Sequence, residues 1–285
     1  MSELKYDRQN RIPDWDQTKL ADATVTVIGA GALGNHVCAG LIGLGIGTIK
    51  IYDFDVIEPH NLNRQSLFCE SDITHSKADT LARRLQERNS SIISVGIDEK
   101  ITKENVDQLI QKPSLLMDCV DRIYVRKILN YYCIKEDIPF IHGAISWRGG
   151  QVGILTRETP CVNCIYPDEI QKEELDNENS CIRNPEASVV YVSQIIAGLM
   201  VTFARRVLLP LHSDPPLNEG LWKLDFGLSS FLYQESIQRK ANCECIKILK
   251  RVAPEILKKE QREQKIQQKK ELEEITSIIA QPIRK

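Results

Sequence analysis

The sequence predicts an α/β fold built on a doubly wound, mostly parallel sheet, with a mixed C-terminal extension. Between residues 20 and 145, β-branched runs alternate with helix-compatible stretches, which is typical of repeated strand–helix–strand units. A glycine-rich loop follows the first of these runs directly, where such a sheet places a phosphate-binding turn. Two pairs of cysteines, near residues 161 and 243, indicate a metal-bound closure of the C-terminal part.

The strands and helices follow from the local pattern. A β-branched run at 23–28 precedes the glycine loop, and a helix-compatible stretch at 35–44 follows that loop. The run at 47–53 completes a strand–helix–strand unit and places the carboxylate of Asp53 at its tip. The later pattern predicts helices at 76–88, 105–111 and 125–136, and strands at 92–97, 115–120 and 139–142.

The C-terminal half departs from this alternation. Residues 146–156 alternate in strand fashion and predict an antiparallel extension, and the acidic segment 168–186 predicts a crossover loop. The apolar stretch 189–204 is too short and too polar to span a bilayer, so it predicts a buried helix. Residues 251–285 are highly charged and begin with a helix-starting proline, Pro254. They predict a solvated helical tail, with a partner-binding or coiled-coil helix as the alternative.

Composition excludes several classes of protein. The chain has 285 residues, 42% apolar and 27% charged, which is ordinary for a globular protein with a substantial core. Its formal net charge of −2 gives no general attraction to nucleic acid or to an anionic membrane. Nine cysteines form an odd number, and the amino terminus lacks the apolar core of a secretory signal. We therefore expect a reducing, cytoplasmic location in which the cysteines are thiols or metal ligands.

The glycine loop carries the first functional signal. Gly29, Gly31 and Gly34 have the spacing of a Rossmann-like phosphate-binding turn, in which the backbone turns tightly and approaches the phosphate. The helix that follows offers its first N–H groups to phosphate oxygens. Asp53 lies where a carboxylate can accept hydrogen bonds from ribose hydroxyls. On these residues alone, NAD, FAD and ATP fit equally well.

The residues that follow favour ATP. Asp55, Asn61, Arg64 and Gln65 lie on the loop after the ribose carboxylate, and Lys77 lies near the start of the next helix. An arginine and a lysine beside a phosphate loop neutralise more negative charge than a pyrophosphate bridge carries. This grouping predicts a triphosphate ligand and makes NAD-dependent oxidoreduction a poor alternative.

Two aspartates end the strand at 115–120. Asp118 and Asp121 would lie on the carboxyl edge of the sheet, where ligands of this fold class bind. A carboxylate there can hold Mg²⁺ between phosphate oxygens. The sequence therefore predicts a magnesium-dependent nucleotide site.

The motifs taken together resemble the ThiF/MoeB/HesA family, whose nucleotide-binding fold is shared with ubiquitin-activating enzymes. The resemblance runs in family order over about residues 5–250, and it implies an adenylation domain at 1–250 with the charged tail at 251–285. The matching segments are Tyr6-Asp-Arg8-Gln9, the glycine loop, Asp53-Phe-Asp55, Asn61-Leu-Asn-Arg64-Gln65, Lys77, Asp118-Cys-Val-Asp121, Pro160-Cys161-Val-Asn-Cys164 and the later cysteine pair.

The resemblance implies an activity. Such enzymes bind ATP·Mg²⁺ and the C-terminal glycine of a small ubiquitin-like or sulfur-carrier protein, whose carboxylate attacks the α-phosphate to give an acyl-adenylate and pyrophosphate. By position, Asp53 would bind the ribose, Asn61, Arg64 and Lys77 would bind phosphates and the incoming carboxylate, and Asp121 would hold Mg²⁺. Arg8 would reach into the partner subunit's site of a homodimer.

The resemblance also leaves choices open. No rhodanese-like or ubiquitin-fold domain follows Cys245, so a separate sulfurtransferase or conjugating enzyme would act downstream. Cys181 corresponds in place to a cysteine that some relatives use covalently, while other relatives stop at the adenylate. Within the same fold, a relative that adenylates a tRNA-attached or small carboxylate and a non-catalytic nucleotide-binding scaffold are the alternative functions.

The cysteine pairs depart from the family pattern. Cys161 and Cys164 have the usual two-residue spacing, whereas only one residue separates Cys243 from Cys245. Four thiolates supply a closed tetrahedral site, which predicts a structural zinc ion that pins the C-terminal segment to the core. Free or oxidised thiols are the alternative.

Overall fold

A mixed sheet of eight strands runs through the part of the chain that the structure describes. The computed structural model describes residues 2–166, 187–216, 220–229, 231–259, 261–262 and 265–266, with side chains from residue 4 onward. The strands are β1 Thr24–Ile28, β2 Thr48–Tyr52, β3 Ile93–Ile97, β4 Leu115–Asp118, β5 Phe140–Ile145, β6 Gly149–Leu155, β7 Leu221–Asp225 and β8 Leu232–Glu235.

The strand order is β3-β2-β1-β4-β5-β6-β7-β8. The first five strands are parallel to their neighbours, and the last three continue the sheet in antiparallel pairing. Strand order reverses between β1 and β4, which is the switch point where doubly wound sheets bind ligands. The parallel sheet and its antiparallel extension, both predicted from the sequence, are confirmed.

Helices cover both faces of the sheet. They are α1 Ser2–Lys5, α2 Gln17–Ala21, α3 Ala32–Leu44, α4 Lys77–Arg88, α5 Val106–Leu109, α6 Ile123–Glu136, α7 Val162–Ile165, α8 Val190–Leu208 and α9 Glu244–Val252. The helices α3, α4 and α8 pack with the sheet in one apolar core, while α6 packs with residues of β4 and β5 in a second. Two buried faces explain why the central strands read as continuous apolar runs.

The predicted buried helix is α8, and it is buried along one face only. Ser193, Ile196 and Met200 are buried, but Tyr191 is 49% exposed and Ile195 41% exposed. Helical periodicity places these two groups on opposite sides, so α8 covers the sheet with one face only.

One described helix is long and apolar enough to pass a length-and-composition test for a membrane span, and it is again α8. The core helices of soluble proteins pass the same test. Here α8 packs along α3 and against β5 and β6, which is the place of a core helix.

The described start of the predicted tail packs against the rest of the chain. Residues 254–259 are helical, and the partly buried Ile256 and Leu257 pack on the same small core as the four paired cysteines. The division at residue 250 and the character of the remaining tail stay predictions. The predicted crossover loop at 168–186 lies outside the described residues. The described chain before it ends at Tyr166.

Candidate functional site

The glycine loop joins β1 to α3 at the switch point. Gly29 has a φ of +97°, and a Cβ there would lie 2.7 Å from the carbonyl oxygen of Cys119. A Cβ on Gly34 would lie 1.8 Å from the carbonyl oxygen of Gly29, so loop and helix touch here. Gly31 differs, because its nearest neighbour would be the Gln65 amide at 4.0 Å. Two glycines therefore close the turn, and the middle one faces space that a phosphate could fill.

Asp53 binds the glycine loop directly. Its carboxylate accepts hydrogen bonds from the backbone N–H of Ala30 at 2.6 Å and of Asp55 at 2.8 Å. Burial raises the pKa of Asp53, and these hydrogen bonds and the charge of Lys77 oppose that rise. The carboxylate lies at the end of β2 and the loop at the end of β1, as the sequence predicts for a ribose ligand.

The loop that carries Asn61, Arg64 and Gln65 docks onto the start of α3. The Asn35 side chain accepts a hydrogen bond from the N–H of Leu67 at 2.8 Å. The His36 Nε2 lies 3.2 Å from the carbonyl oxygen of Arg64; a carbonyl only accepts, so this nitrogen carries the proton. Neither Asn35 nor His36 is predicted from the sequence as a site residue, and the only signal for them is their place in the first turn after the glycine loop.

The two predicted cations belong to the segment that leads from β2 to the start of α4. Lys77 is nearly buried, and its Nζ lies 2.9 Å from the Asp55 carboxylate. Arg64 is half-buried and donates to the carbonyl of His60 at 2.6 Å and to the Asn63 side chain at 2.9 Å. Both cations therefore have protein partners in this structure, which a bound phosphate would have to replace or share.

Buried polar atoms beside the glycine loop test the fit of a nucleotide. Gln65 is 2% exposed, and its Oε1 has no hydrogen-bond partner among the residues that the structure describes; the same is true of the Nδ2 of the fully buried Asn35. Burying an unpaired polar group costs about 1–3 kcal/mol. The open space at Gly31, here called the cradle, lies beside Gln65, and the unpaired polar atoms near it fit a polar ligand such as a nucleotide phosphate and its water shell.

The two aspartates after β4 have different environments. Asp118 is fully buried, and its carboxylate accepts from His142 Nδ1 at 2.7 Å and from the N–H of Val120 at 3.2 Å. Asp121 is exposed. The sequence offered both as metal ligands, but the hydrogen bonds occupy Asp118, so Asp121 is the carboxylate that faces solvent. Its exposure fits the Mg²⁺ role predicted for it.

Arg8 lies far from the glycine loop of its own chain. The neighbouring Gln9 donates to the carbonyl of Leu44 at 3.0 Å, at the C-terminal end of α3. The glycine loop lies at the other end of this helix of 13 residues, about 20 Å away at 1.5 Å per residue. Arg8 is exposed and does not reach that loop in cis. Cys181 lies outside the described residues, and its role stays a prediction.

The four paired cysteines come together, as the sequence predicts. Their sulfur atoms all lie within 4.8 Å of one another, and all four residues are buried. Cys161 and Cys243 precede α7 and α9 as N-caps, while Cys164 and Cys245 lie inside those helices. The single residue between Cys243 and Cys245 is accommodated because one cysteine precedes the helix and the other lies in its first turn.

The cluster has the donor set of a zinc site. Zinc–sulfur bonds of about 2.3 Å in a tetrahedron place sulfurs about 3.8 Å apart, and Cys161 lies 3.3 Å from Cys243 and 3.7 Å from Cys164. Hydrogen bonding from Cys161 lowers the pKa of the Cys164 and Cys243 thiols. The backbone N–H of Lys240 also donates to Cys164 Sγ at 3.3 Å. The cluster is compatible with zinc.

The glycine geometry makes a prediction about two matched substitutions. Gly31→Ala is expected to leave the thermal midpoint within a few degrees of wild type, since its φ of −71° and open surroundings admit a methyl group. The methyl occupies the cradle, so the Kd for ATP is expected to rise at least about 10-fold, roughly 1.4 kcal/mol. Gly34→Ala is the control and is expected to lose folding stability instead. Unchanged ATP affinity of Gly31→Ala in calorimetry would contradict the assignment of the cradle.

Comparison with known proteins gives a family and several relatives. A model of the ThiF family matches residues 6–246. The sulfur carrier protein ThiS adenylyltransferase of Bacillus subtilis is 34% identical over 211 residues, 73% of this chain and 61% of that protein. The enzyme of the same description from Escherichia coli is 28% identical over 84% of this chain and 93% of its own length. The chain thus spans less than two thirds of the Bacillus relative and 40% of the Xenopus laevis adenylyltransferase and sulfurtransferase MOCS3.

A solved structure agrees with the sheet. Escherichia coli MccB, crystallised with ATP, is 25% identical and superposes with a TM-score of 0.69. The alignment covers 80% of this chain and 67% of that one.

Proposed function

The chain belongs to the ThiF family, and from this membership we propose that it adenylates the C-terminal glycine carboxylate of a small ubiquitin-like or sulfur-carrier protein. The observation that carries the proposal is the cradle at Gly31, with Asp53 on one side and Lys77 beyond it. Relatives described as ThiS adenylyltransferases and a molybdopterin-synthase adenylyltransferase support the substrate class.

The proposed reaction brings a carboxylate anion to the negatively charged phosphates of ATP. The carrier carboxylate attacks the α-phosphorus of ATP, the bond from that phosphorus to the bridging oxygen breaks, and pyrophosphate leaves. Arg64 and Lys77 reduce the repulsion between the reactants by placing positive charge beside the phosphates. Asp53 holds the ribose hydroxyls, while Asn61 and Gln65 donate hydrogen bonds from the same loop. Asp121 holds Mg²⁺, which neutralises phosphate charge when bound.

An exposed aromatic rim suits the carrier protein. Tyr191 and Phe226 are in edge-to-face contact at 5.6 Å, Phe226 stacks on Phe231 at 6.3 Å, and Trp147 is 58% exposed. These residues lie at the same edge of the sheet as the glycine loop, beyond β5. Four strand spacings separate the ends of β1 and β7, about 19 Å, which an extended tail of about six residues spans. We propose that the globular part of the carrier binds this rim and extends its Gly-Gly tail to the phosphates.

A homodimer would bring Arg8 to a pocket. Ile195, on the exposed face of α8, is available to a second copy, and Arg8 lies too far from its own glycine loop to act there. Mixing two inactive variants, Arg8→Ala and Lys77→Met, is expected to restore about a quarter of wild-type activity, because half the dimers are mixed and each has one intact site. Dimers that form without any recovery of activity would contradict a role for Arg8 in trans.

ATP–pyrophosphate exchange tests the proposed function. We expect exchange only when a small protein with a C-terminal Gly-Gly is added, and none with the same protein lacking its last two residues. Exchange supported by tRNA or a free small carboxylate would instead assign the substrate of the alternative adenylating relatives. ATP binding without exchange would favour a nucleotide-binding scaffold. A covalent, thiol-labile carrier adduct that is lost in Cys181→Ala, with exchange retained, would assign Cys181 to a second step.

A further inference from the structure

A buried polar network lies directly behind the loop that bears Asp121. His142 and Asp118 are fully buried, and burial lowers the pKa of His142 although Asp118 opposes that shift. The neutral imidazole donates from Nδ1 to Asp118 at 2.7 Å. Its Nε2 lies 3.1 Å from both the Tyr166 hydroxyl and the Gln151 amide. The residues of this network come from β4, β5, β6 and the end of α7, so they connect elements distant in sequence.

Arg126 joins the network to the loop. This side chain, on α6, is buried, and its Nη2 donates to the carbonyl oxygen of Val120, the residue before Asp121. Its Nε lies 3.6 Å from the Asp118 carboxylate at the end of β4, so the guanidinium contacts both the end of the strand and the loop that follows it. Burial alone would lower the pKa of Arg126, but Tyr166, Asp118 and Asp121 outweigh burial and raise it. The charge is therefore present where the loop leaves β4.

Tyr166 connects Arg126 to the cysteine cluster. Arg126 Nη1 donates to the Tyr166 hydroxyl at 2.5 Å. Tyr166 follows Cys164 by two residues, and its carbonyl accepts from Lys240 Nζ at 3.0 Å. The N–H of the same Lys240 donates to Cys164 Sγ at 3.3 Å. Four hydrogen bonds, linked through Lys240, Tyr166 and Arg126, thus connect the cysteine cluster to Val120.

We propose that Tyr166, acting through Arg126, is a positioning residue that fixes Asp121 for the divalent cation accompanying ATP. The cysteine cluster would set the position of Tyr166 and so influence cation affinity at the nucleotide pocket. The inference rests on the proposed nucleotide site, but not on the identity of the carrier protein. Nothing in the path touches the phosphates directly, so the effect reaches the ligand only through the Asp121 loop.

Tyr166→Phe removes one hydroxyl and tests this inference. The Mg²⁺ concentration that half-saturates ATP binding in calorimetry is expected to rise about 3- to 10-fold, the net contribution of one typical hydrogen bond. ATP binding in EDTA is expected to stay at its wild-type value. The matched control is Tyr132→Phe, another buried tyrosine whose hydroxyl donates to a backbone carbonyl, that of Ile110, away from the pocket. This control is expected to leave the Mg²⁺ requirement unchanged.

A double-mutant cycle separates positioning from general loosening. If Tyr166 acts through Asp121, then Tyr166→Phe adds no further rise in an Asp121→Asn background. Lys240→Met, which frees the Tyr166 carbonyl without touching the hydroxyl, is a second variant and is expected to shift the Mg²⁺ requirement in the same direction. Equal weakening with and without Mg²⁺, or full additivity with Asp121→Asn, would overturn the inference alone. A wild-type protein that binds no ATP·Mg²⁺ would overturn the proposed function and this inference with it.

Discussion

Lys77→Met is expected to lower ATP–pyrophosphate exchange by about 10²- to 10³-fold, a loss of roughly 3–4 kcal/mol of transition-state stabilisation. Lys77 is a nearly buried cation at the first position of α4. A positive charge there opposes the helix dipole, which costs stability that the ion pair with Asp55 offsets. We therefore expect the ammonium to bind the ATP phosphates when they are present. Methionine keeps the packing of the aliphatic side chain and removes the charge.

The control for this prediction is Lys135→Met. Lys135 also pairs with one aspartate, Asp107, at 2.8 Å, but it lies at the C-terminal end of α6 and is half exposed. Exposed pairs of this kind contribute at most about 1 kcal/mol, so exchange should remain at its wild-type rate. Thermal midpoints of both variants are expected within a few degrees of wild type. Retention of more than a tenth of the exchange by a folded Lys77→Met protein would remove Lys77 from the proposed mechanism.

The surroundings of Lys77 show which parts of the candidate site the sequence pattern can predict. The sheet, the glycine loop and Asp53 follow from local rules, because strand periodicity and glycine spacing are properties of neighbouring residues. The prediction that Lys77 lies beside the phosphate loop follows from chain order in a doubly wound sheet. Its ion pair with Asp55 also joins two neighbouring segments.

The side-chain contacts that hold the loop and the strand ends in place cannot be predicted from such local patterns. Asn35 and His36 hold a loop about thirty residues further along the chain, at Leu67 and Arg64. The bond from His142 to Asp118 joins two strands, and polar residues in apolar runs carry no sign of their partners. The exposed face of α8 was missed for a related reason, because an apolar helix has the same composition whether one or both of its faces are covered.

The candidate nucleotide site and the cysteine cluster are stabilised differently, so substitutions in them are expected to have different effects on folding. The candidate nucleotide site lies at the edge of a sheet with large apolar cores on both faces, so changing one of its polar side chains is expected to leave the fold in place. The cysteine cluster lies in a small core with few apolar partners, including Ile134 and Leu249. A small core gains little from burial alone, so the attachment of α9 depends on the cluster itself.

The double substitution Cys161→Ser with Cys164→Ser is therefore expected to abolish metal binding and to lower the thermal midpoint by at least about 10 °C. The wild-type protein is expected to contain about one zinc ion per chain, since four thiolates make one closed site. Serine keeps the size of the side chains but is a poor zinc ligand, and two remaining cysteines cannot hold the ion tightly. Elemental analysis and thermal unfolding measure the two effects.

Cys38→Ser with Cys133→Ser is the matched control for this last prediction. Both cysteines are buried and burial raises the pKa of both thiols, so they behave as apolar packing groups of the two large cores and not as members of the four-cysteine cluster. Their replacement is expected to cost packing stability without any loss of zinc. A Cys161→Ser/Cys164→Ser protein that keeps a full equivalent of zinc would show that the ion is held elsewhere. If metal-free wild-type protein unfolds at the same thermal midpoint as the zinc-loaded protein, then hydrogen bonds among the thiols, such as those of Cys164, are enough to attach the C-terminal segment.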